Sequence, residues 1–190
     1  VRRYAVSTAL EDLSIPDVGK KQAKKDRVLK DKEVGRLWAA ISSGDVFLPY
    51  YTNLLRITTL FGCRTQEARL SEWAEWDMEA WVWTVPKAHS KGGEKIVRPV
   101  PEAMRSFIEI LHDETKSSGY LLGVVKNSEA VSQWGRSVYK KLGHSEPWTL
   151  HDLRRTLATH MNNMGIAPHV VEQLLGHSMP GVMAIYNRSL

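Results

Sequence analysis

The sequence predicts an α+β fold that is mainly α, with one small antiparallel β-sheet or hairpin. Apolar residues recur at helical spacing along most of the chain, as in Val34, Leu37, Trp38 and Ile41, or Leu150, Leu153, Leu157 and Met161. The period changes once. From Trp81 to Val100, apolar and polar residues alternate on either side of a connection rich in lysine and glycine. Glycines close the helical stretches at Gly44, Gly62, Gly165 and Gly176, and prolines open others at Pro101 and Pro168.

Composition narrows the class. A chain of 190 residues suffices for one domain that buries roughly 70% of its unfolded surface. Hydrophobic residues make up 43% and charged residues 25%, ordinary values for a globular domain in water. No apolar run is long enough to span a bilayer and no leader pattern opens the chain, so a cytoplasmic location is expected. Cys63 is the single cysteine, which excludes an internal disulfide and a zinc site of several thiolates. A net charge of +5 favours polyanionic partners. The chain opens at Val1 rather than methionine, which points to a piece of a longer protein.

Residues 1–30 show little periodicity, and their end, G-K-K-Q-A-K-K-D-R, is strongly basic. They read as a linker, or as a strap along a DNA backbone. The folded domain is expected over 31–190. Asp31 is the expected N-cap of a helix to about Ser43, with Val34, Leu37, Trp38 and Ile41 inward. A second helix runs from about Val46 to Leu60, with Tyr50, Leu54, Ile57 and Phe61 buried. Thr65 caps a short third helix, and Arg64 sits in the turn before it. Cys63 and Arg69 also satisfy C-x5-R, the spacing of cysteine phosphatases. That chemistry needs a glycine-assisted nest of N–H groups, and no glycine lies between them. Cys63 reads as a small buried hydrophobe.

Trp81, Trp83 and Val85 make one strand, and Ile96-Val97-Arg98-Pro99-Val100 a returning one. Lys87, Lys91 and Lys95 decorate the connection, as solvated charges or as functional groups. Pro101 opens a helix with Met104, Phe107, Ile108 and Leu111 inward, and Ser128 caps another in which Val131, Trp134, Val138 and Leu142 face the core. Arg136, Lys140 and Lys141 lie elsewhere on that helix. Thr149 followed by Asp152 is a capping-box pattern, so a helix begins near Leu150 and buries Leu150, Leu153, Leu157, Met161 and Met164. His151 and Arg154 share a face in its first turns, where free N–H groups favour an anion. Pro168 restarts a helix buried by Val170, Val171, Leu174 and Leu175, and Gly176 ends it beside His177. Ser178 and Pro180 open a last short helix with Tyr186 near its end.

The ordered set His151-x-x-Arg154, then Leu175-Gly176-His177, then Tyr186 resembles the catalytic part of tyrosine recombinases, the phage-integrase family. That family also carries T-G-x-R-x-x-E. Gly62, Arg64 and Glu67 match it, with Phe61 at the threonine position. The resemblance covers roughly Asp31 to Leu190. It implies the family's helical catalytic domain without its DNA-clamping N-terminal domain. It also implies a catalytic lysine on the hairpin. Aligning Pro86 and the closing Val100-Pro101 puts that role on Lys91, with Lys87 and Lys95 as rivals.

The chemistry so implied suits these residue types. Attack on a phosphodiester builds charge on the non-bridging oxygens, which Arg64 and Arg154 can clamp with planar, permanently charged forks. Glu67 supports the site. His151 and His177 can donate hydrogen bonds or carry a proton near neutral pH. Tyr186 is the implied nucleophile, giving a 3′-phosphotyrosine link, and Lys91 the implied acid for the departing 5′ oxygen. Neither a metal nor a cofactor is required. The implied partners are double-stranded DNA attachment sites, copies of the chain in a homotetramer of the full-length protein, and accessory DNA-bending or directionality proteins. This piece alone is expected to be monomeric and to bind DNA weakly. The rival readings are a type IB topoisomerase-like strand relaxation and an inactive DNA-binding module.

Overall fold

The computed structural model describes residues 27–177. The element order is α1 (Asp31–Ser43), α2 (Pro49–Phe61), α3 (Thr65–Leu70), β1 (Trp76–Asp77), β2 (Val82–Val85), β3 (Ile96–Pro99), α4 (Glu102–Thr115), α5 (Ser128–Gly135), α6 (Val138–Lys141), α7 (Leu150–Asn163) and α8 (Pro168–Leu175). The three strands form one antiparallel sheet in the order β1-β2-β3, with Trp83 opposite Trp76 on one side and Arg98 on the other. The mainly helical α+β class expected from the sequence is therefore the observed one.

One core runs through the domain. Helix α2 lies at its centre, packed against α1, α3 and α7. Its Leu54, Leu55 and Ile57 are fully buried, because the i, i+3 spacing lays them on the faces those helices cover. Phe61 at its end meets Trp76 and Trp83 edge-on, and the two indoles stack at 4.9 Å, which joins the helical layer to the sheet. Helix α8 packs on both α7 and β3, so the C-terminal helices close over the sheet.

The differences from the sequence reading have local causes. Glu33 accepts the backbone N–H of Lys30 at 2.9 Å, so α1 is capped at Lys30 and Asp31 is its first residue. Trp38 is 41% exposed, because the buried stripe is Leu37, Ala40 and Ile41 and Trp38 sits one step round the helix. Helix α2 begins at Pro49, which has no N–H to donate and fits the first position. Asn127, not Ser128, caps α5 by accepting from Glu129 N and Ala130 N. The expected single helix from 128 to 142 is broken after Gly135 into α5 and α6. Met164 lies past the last turn of α7 and is exposed, as is Val170 on α8. Strand β1, only two residues long, is too short to show alternation.

The packed domain also reaches upstream of Asp31. Leu29 is buried, its N–H donates to Thr156 Oγ1 at 3.0 Å, and Arg27 pairs with Glu33 and Glu146. The expected linker over 1–30 thus gives up its last four residues to the domain, and residues 1–26 lie outside the described residues. Among the described residues, no helix is long and apolar enough to cross a membrane.

Candidate active site

The turn between α2 and α3 places the first arginine. Gly62 adopts φ +56°, and a Cβ there would lie 2.7 Å from Leu157 and 2.9 Å from Leu175, so only glycine lets α7 and α8 approach this closely. Arg64 follows with half-buried side chain. Its Nη1 donates to Glu67 Oε1 at 2.9 Å, and its backbone N–H to Glu67 Oε2 at 3.2 Å. Glu67 is fully buried and so serves both as cap of α3 and as anchor of the guanidinium.

The second oxygen of Glu67 also accepts from Arg98 Nη2 at 2.7 Å. Arg98 is fully buried, faces Trp83 with its guanidinium 5.0 Å from the ring centre, and donates from Nε to the Leu174 carbonyl at 2.8 Å. Sequence reasoning missed this residue. The signal was present: Ile96 and Arg98 in β3 and Val100 just after it alternate inward, and a charge between two buried apolar residues on one face requires a partner.

Arg154 projects from α7 into the space behind the Gly62 turn. Nη1 donates to the Gly62 carbonyl at 2.8 Å, and Nη2 to the Leu175 carbonyl at 2.6 Å and to His177 Nε2 at 2.7 Å. Burial, then the charge of Arg64, pushes its pKa down to about 10, which still leaves it fully protonated at neutral pH. Three guanidiniums, Arg64, Arg98 and Arg154, thus gather around the single carboxylate of Glu67. The surplus of positive charge in a place of low polarity is what an incoming anion relieves.

His177 follows the αL glycine Gly176. A Cβ on Gly176 would fall 2.3 Å from Ile96 Cδ1, so the last turn of α8 lies directly on β3. His177 Nδ1 donates to the Glu172 carboxylate, leaving Nε2 as the acceptor that meets Arg154. His151, in the first turn of α7, keeps solvent contact. Partial burial, then Arg155 and Arg154, holds its pKa below the ordinary imidazole value. Asp152 behaves as the sequence predicts, accepting the Thr149 N–H at 2.8 Å.

An open cleft of about 370 Å³ is lined by Arg64, Gly92, Glu94, Glu172, Gly176 and His177. The tip of the β2–β3 connection therefore faces the arginine turn and His177. Lys91 is exposed beside Gly92, Lys95 is exposed beside Glu94, and Lys87 lies 3.9 Å from Glu94 in a loose surface pair. A second cleft of about 230 Å³ starts at Thr65 and is lined also by Ser132, Arg136, Thr149, Leu150 and His151. The structure thus brings together Arg64, Glu67, Arg154 and His177, puts His151 on the second cleft and leaves Lys91 exposed beside the lining Gly92. Tyr186 and the last short helix lie outside the described residues. Cys63 is buried and its thiol is pushed up to about 12, chiefly by desolvation, so C-x5-R is no phosphatase loop here. Among the described residues, no group of three or more His, Cys, Asp or Glu side chains could hold a metal ion.

Comparison with known proteins agrees with this geometry. The model of the phage integrase family matches residues 27–190. Tyrosine recombinase XerA of Pyrococcus furiosus is 32% identical over 110 residues, covering 52% of this chain and 36% of that protein. Tyrosine recombinase XerC of Neisseria meningitidis serogroup B is 24% identical over 156 residues, covering 78% and 48%. The chain thus spans less than half the length of these relatives. In fold it is similar to the crystal structure of XerA recombinase, with TM-score 0.65 and 22% identity over 96% of this chain and 67% of that one. It is also similar to a lambda integrase dimer bound to a COC′ core site, with TM-score 0.65 and 18% identity over 84% and 60%.

Proposed function

Because the chain belongs to the phage integrase family, we propose that it is the catalytic domain of a site-specific DNA recombinase that cuts and rejoins strands through a 3′-phosphotyrosine intermediate. The observation that carries this reading is the convergence of Arg64, Arg154 and His177, from three distant segments, around surplus positive charge beside an open cleft. Solved structures of similar fold hold DNA, among them the lambda integrase dimer on its core site, which supports duplex DNA as the partner.

In the proposed reaction Tyr186 Oη attacks the scissile phosphorus, the P–O5′ bond breaks, and its electron pair stays on the 5′ oxygen. Arg64 and Arg154 hold the non-bridging oxygens, and Arg154 exchanges its bond to His177 for one to phosphate. The tyrosine proton passes to a neighbouring imidazole, His151 or His177, or to water. The 5′ oxygen takes a proton from Lys91. Attack by a 5′ hydroxyl of another strand then reverses these steps and frees Tyr186. Each preorganised donor of this kind contributes about 10²–10³-fold in rate.

The substrate is proposed to be the attachment site of a prophage or genomic island, inserted or excised by a homotetramer of the full-length protein in the cytoplasm. A nicked suicide duplex tests the core of the reading. The full-length protein on its own site is expected to form a covalent adduct that Tyr186→Phe abolishes, and absence of the adduct refutes the catalytic assignment. Exchange between two duplexes, rather than resealing of one, separates a recombinase from a type IB topoisomerase.

A further inference from the structure

We infer that His89 and Glu75 are positioning residues for the leaving-group acid, an inference that rests on the recombinase reading above. Glu75 ends a short 3₁₀ turn, Trp73–Glu75, just before β1. Its carboxylate is almost fully buried and accepts three side-chain donors: Ser71 Oγ at 3.1 Å, Trp83 Nε1 at 3.0 Å and His89 Nδ1 at 2.5 Å. Two of these belong to the sheet base, since Ser71 Oγ in turn accepts from Trp76 Nε1 at 2.9 Å. The third belongs to the β2–β3 connection, two residues before Lys91.

The connection is a structured arm up to that point. His89 N–H donates to the Pro86 carbonyl at 3.0 Å, Ser90 N–H donates to the carbonyls of Pro86 and Lys87, and Ser90 is buried. Beyond Ser90, residues 91–95 are all exposed, and a Cβ on Gly92 or Gly93 would meet nothing within 4 Å. His89 is therefore the last side-chain anchor before the lysine. From it the chain enters the tip, whose Gly92 and Glu94 line the cleft with Arg64 and His177. His89 is itself only partly buried, but its ring pairs with a carboxylate that is almost fully enclosed, which ties the arm to the sheet base. Arg98 anchors the other end of the hairpin to Glu67, but through the arginine side of the site.

The two anchors make different demands on the chemistry. Loss of the His89 anchor leaves the phosphate clamp intact and misplaces only the proton donor. A substrate whose 5′ bridging oxygen is replaced by sulfur needs no proton on departure, since a thiolate leaves unaided. The test uses the full-length protein and a duplex that it captures covalently from a randomised pool, made with either bridging atom. His89→Ala and Glu75→Gln are expected to slow cleavage of the oxygen substrate about 10–100-fold. Cleavage of the sulfur substrate should stay within about 3-fold of the parent protein, as it should for Lys91→Ala. His89→Asn, which keeps a donor near Nδ1, should recover much of the oxygen rate. Equal slowing on both substrates, or no slowing on either, overturns the inference. If Lys91→Ala shows no preference for sulfur, the acid assignment and this inference fall together, while covalent capture still supports the recombinase reading. Failure of capture removes that reading itself.

Discussion

His151 sits among cationic neighbours. In the free protein its imidazole is held below the ordinary value of about 6.5 by partial burial and by Arg155 and Arg154. NMR titration should find it neutral at pH 7, and Arg155→Ala should move its midpoint upward. The sign for stability follows. Because the folded value is depressed, the unfolded chain takes up the proton first, so this residue removes stability as pH falls below about 6.5. His151→Gln should flatten the fall in Tm between neutral and mildly acidic pH. Arg98 and Glu67 offer a second measurement. Both are fully buried, so Arg98→Met leaves a carboxylate with one arginine fewer and should cost about 3–5 kcal/mol in urea unfolding. A loss below about 1 kcal/mol would show that the pair is dispensable. At this scale the sequence was readable where residues stand in a spaced pattern. The meeting of Arg64, Glu67, Arg154 and His177 could be expected because turn, helix and Leu-Gly-His fixed their places. Arg98 and the Glu75–His89 pair escaped because nothing in a local pattern says that a strand or turn charge will meet its partner 31 or 14 residues away.

Elements were legible wherever one face alone is buried, since periodicity then reports directly on packing. Helices α4 and α7 and the β2–β3 hairpin emerge in this way. Boundaries were lost where a tertiary contact overrides the local signal, as at the break between α5 and α6. There a Cβ on Gly135 would fall 2.8 Å from Leu150 Cγ, so the start of α7 packs directly against the end of α5. The Gly62 turn shows the same control from a distance. Gly62→Ala forces a methyl against Leu157 and Leu175 in a left-handed backbone. It should cost about 2–4 kcal/mol, summing strain and overpacking, and equilibrium denaturation will read it. Next to it, Cys63 should resist iodoacetamide in the folded protein and react once the chain is unfolded, since its thiol is buried and raised to about 12. Modification of the native protein at the rate of a free thiol would contradict the packing of this turn.

Across the whole molecule one cleft is lined by Arg64 with the hairpin tip and His177, and the other by Thr65, its neighbour in sequence, with Arg136 and His151. With a net charge of +5, this chain is expected to bind duplex DNA weakly and with marked salt dependence. Arg136→Ala should reduce the magnitude of the slope of log affinity against log salt by about 1, the value of one phosphate contact. An unchanged slope would place Arg136 off the DNA path. The general plan, a helical domain with a small sheet that brings distant residues to one place, could be read in advance. The surplus of guanidinium charge at its centre could not, because it depends on three segments meeting.

Both buried arginines lean on one short piece of backbone. Arg98 takes the carbonyl of Leu174, and Arg154 that of Leu175, at the end of α8. On the ribosome this is the last described element to emerge. Until it docks, Arg98 lacks this carbonyl and Arg154 keeps only that of Gly62, so the two guanidiniums have no shared support. Undocking of α8 alone would therefore loosen both arginines at once while leaving the main core of the domain in place.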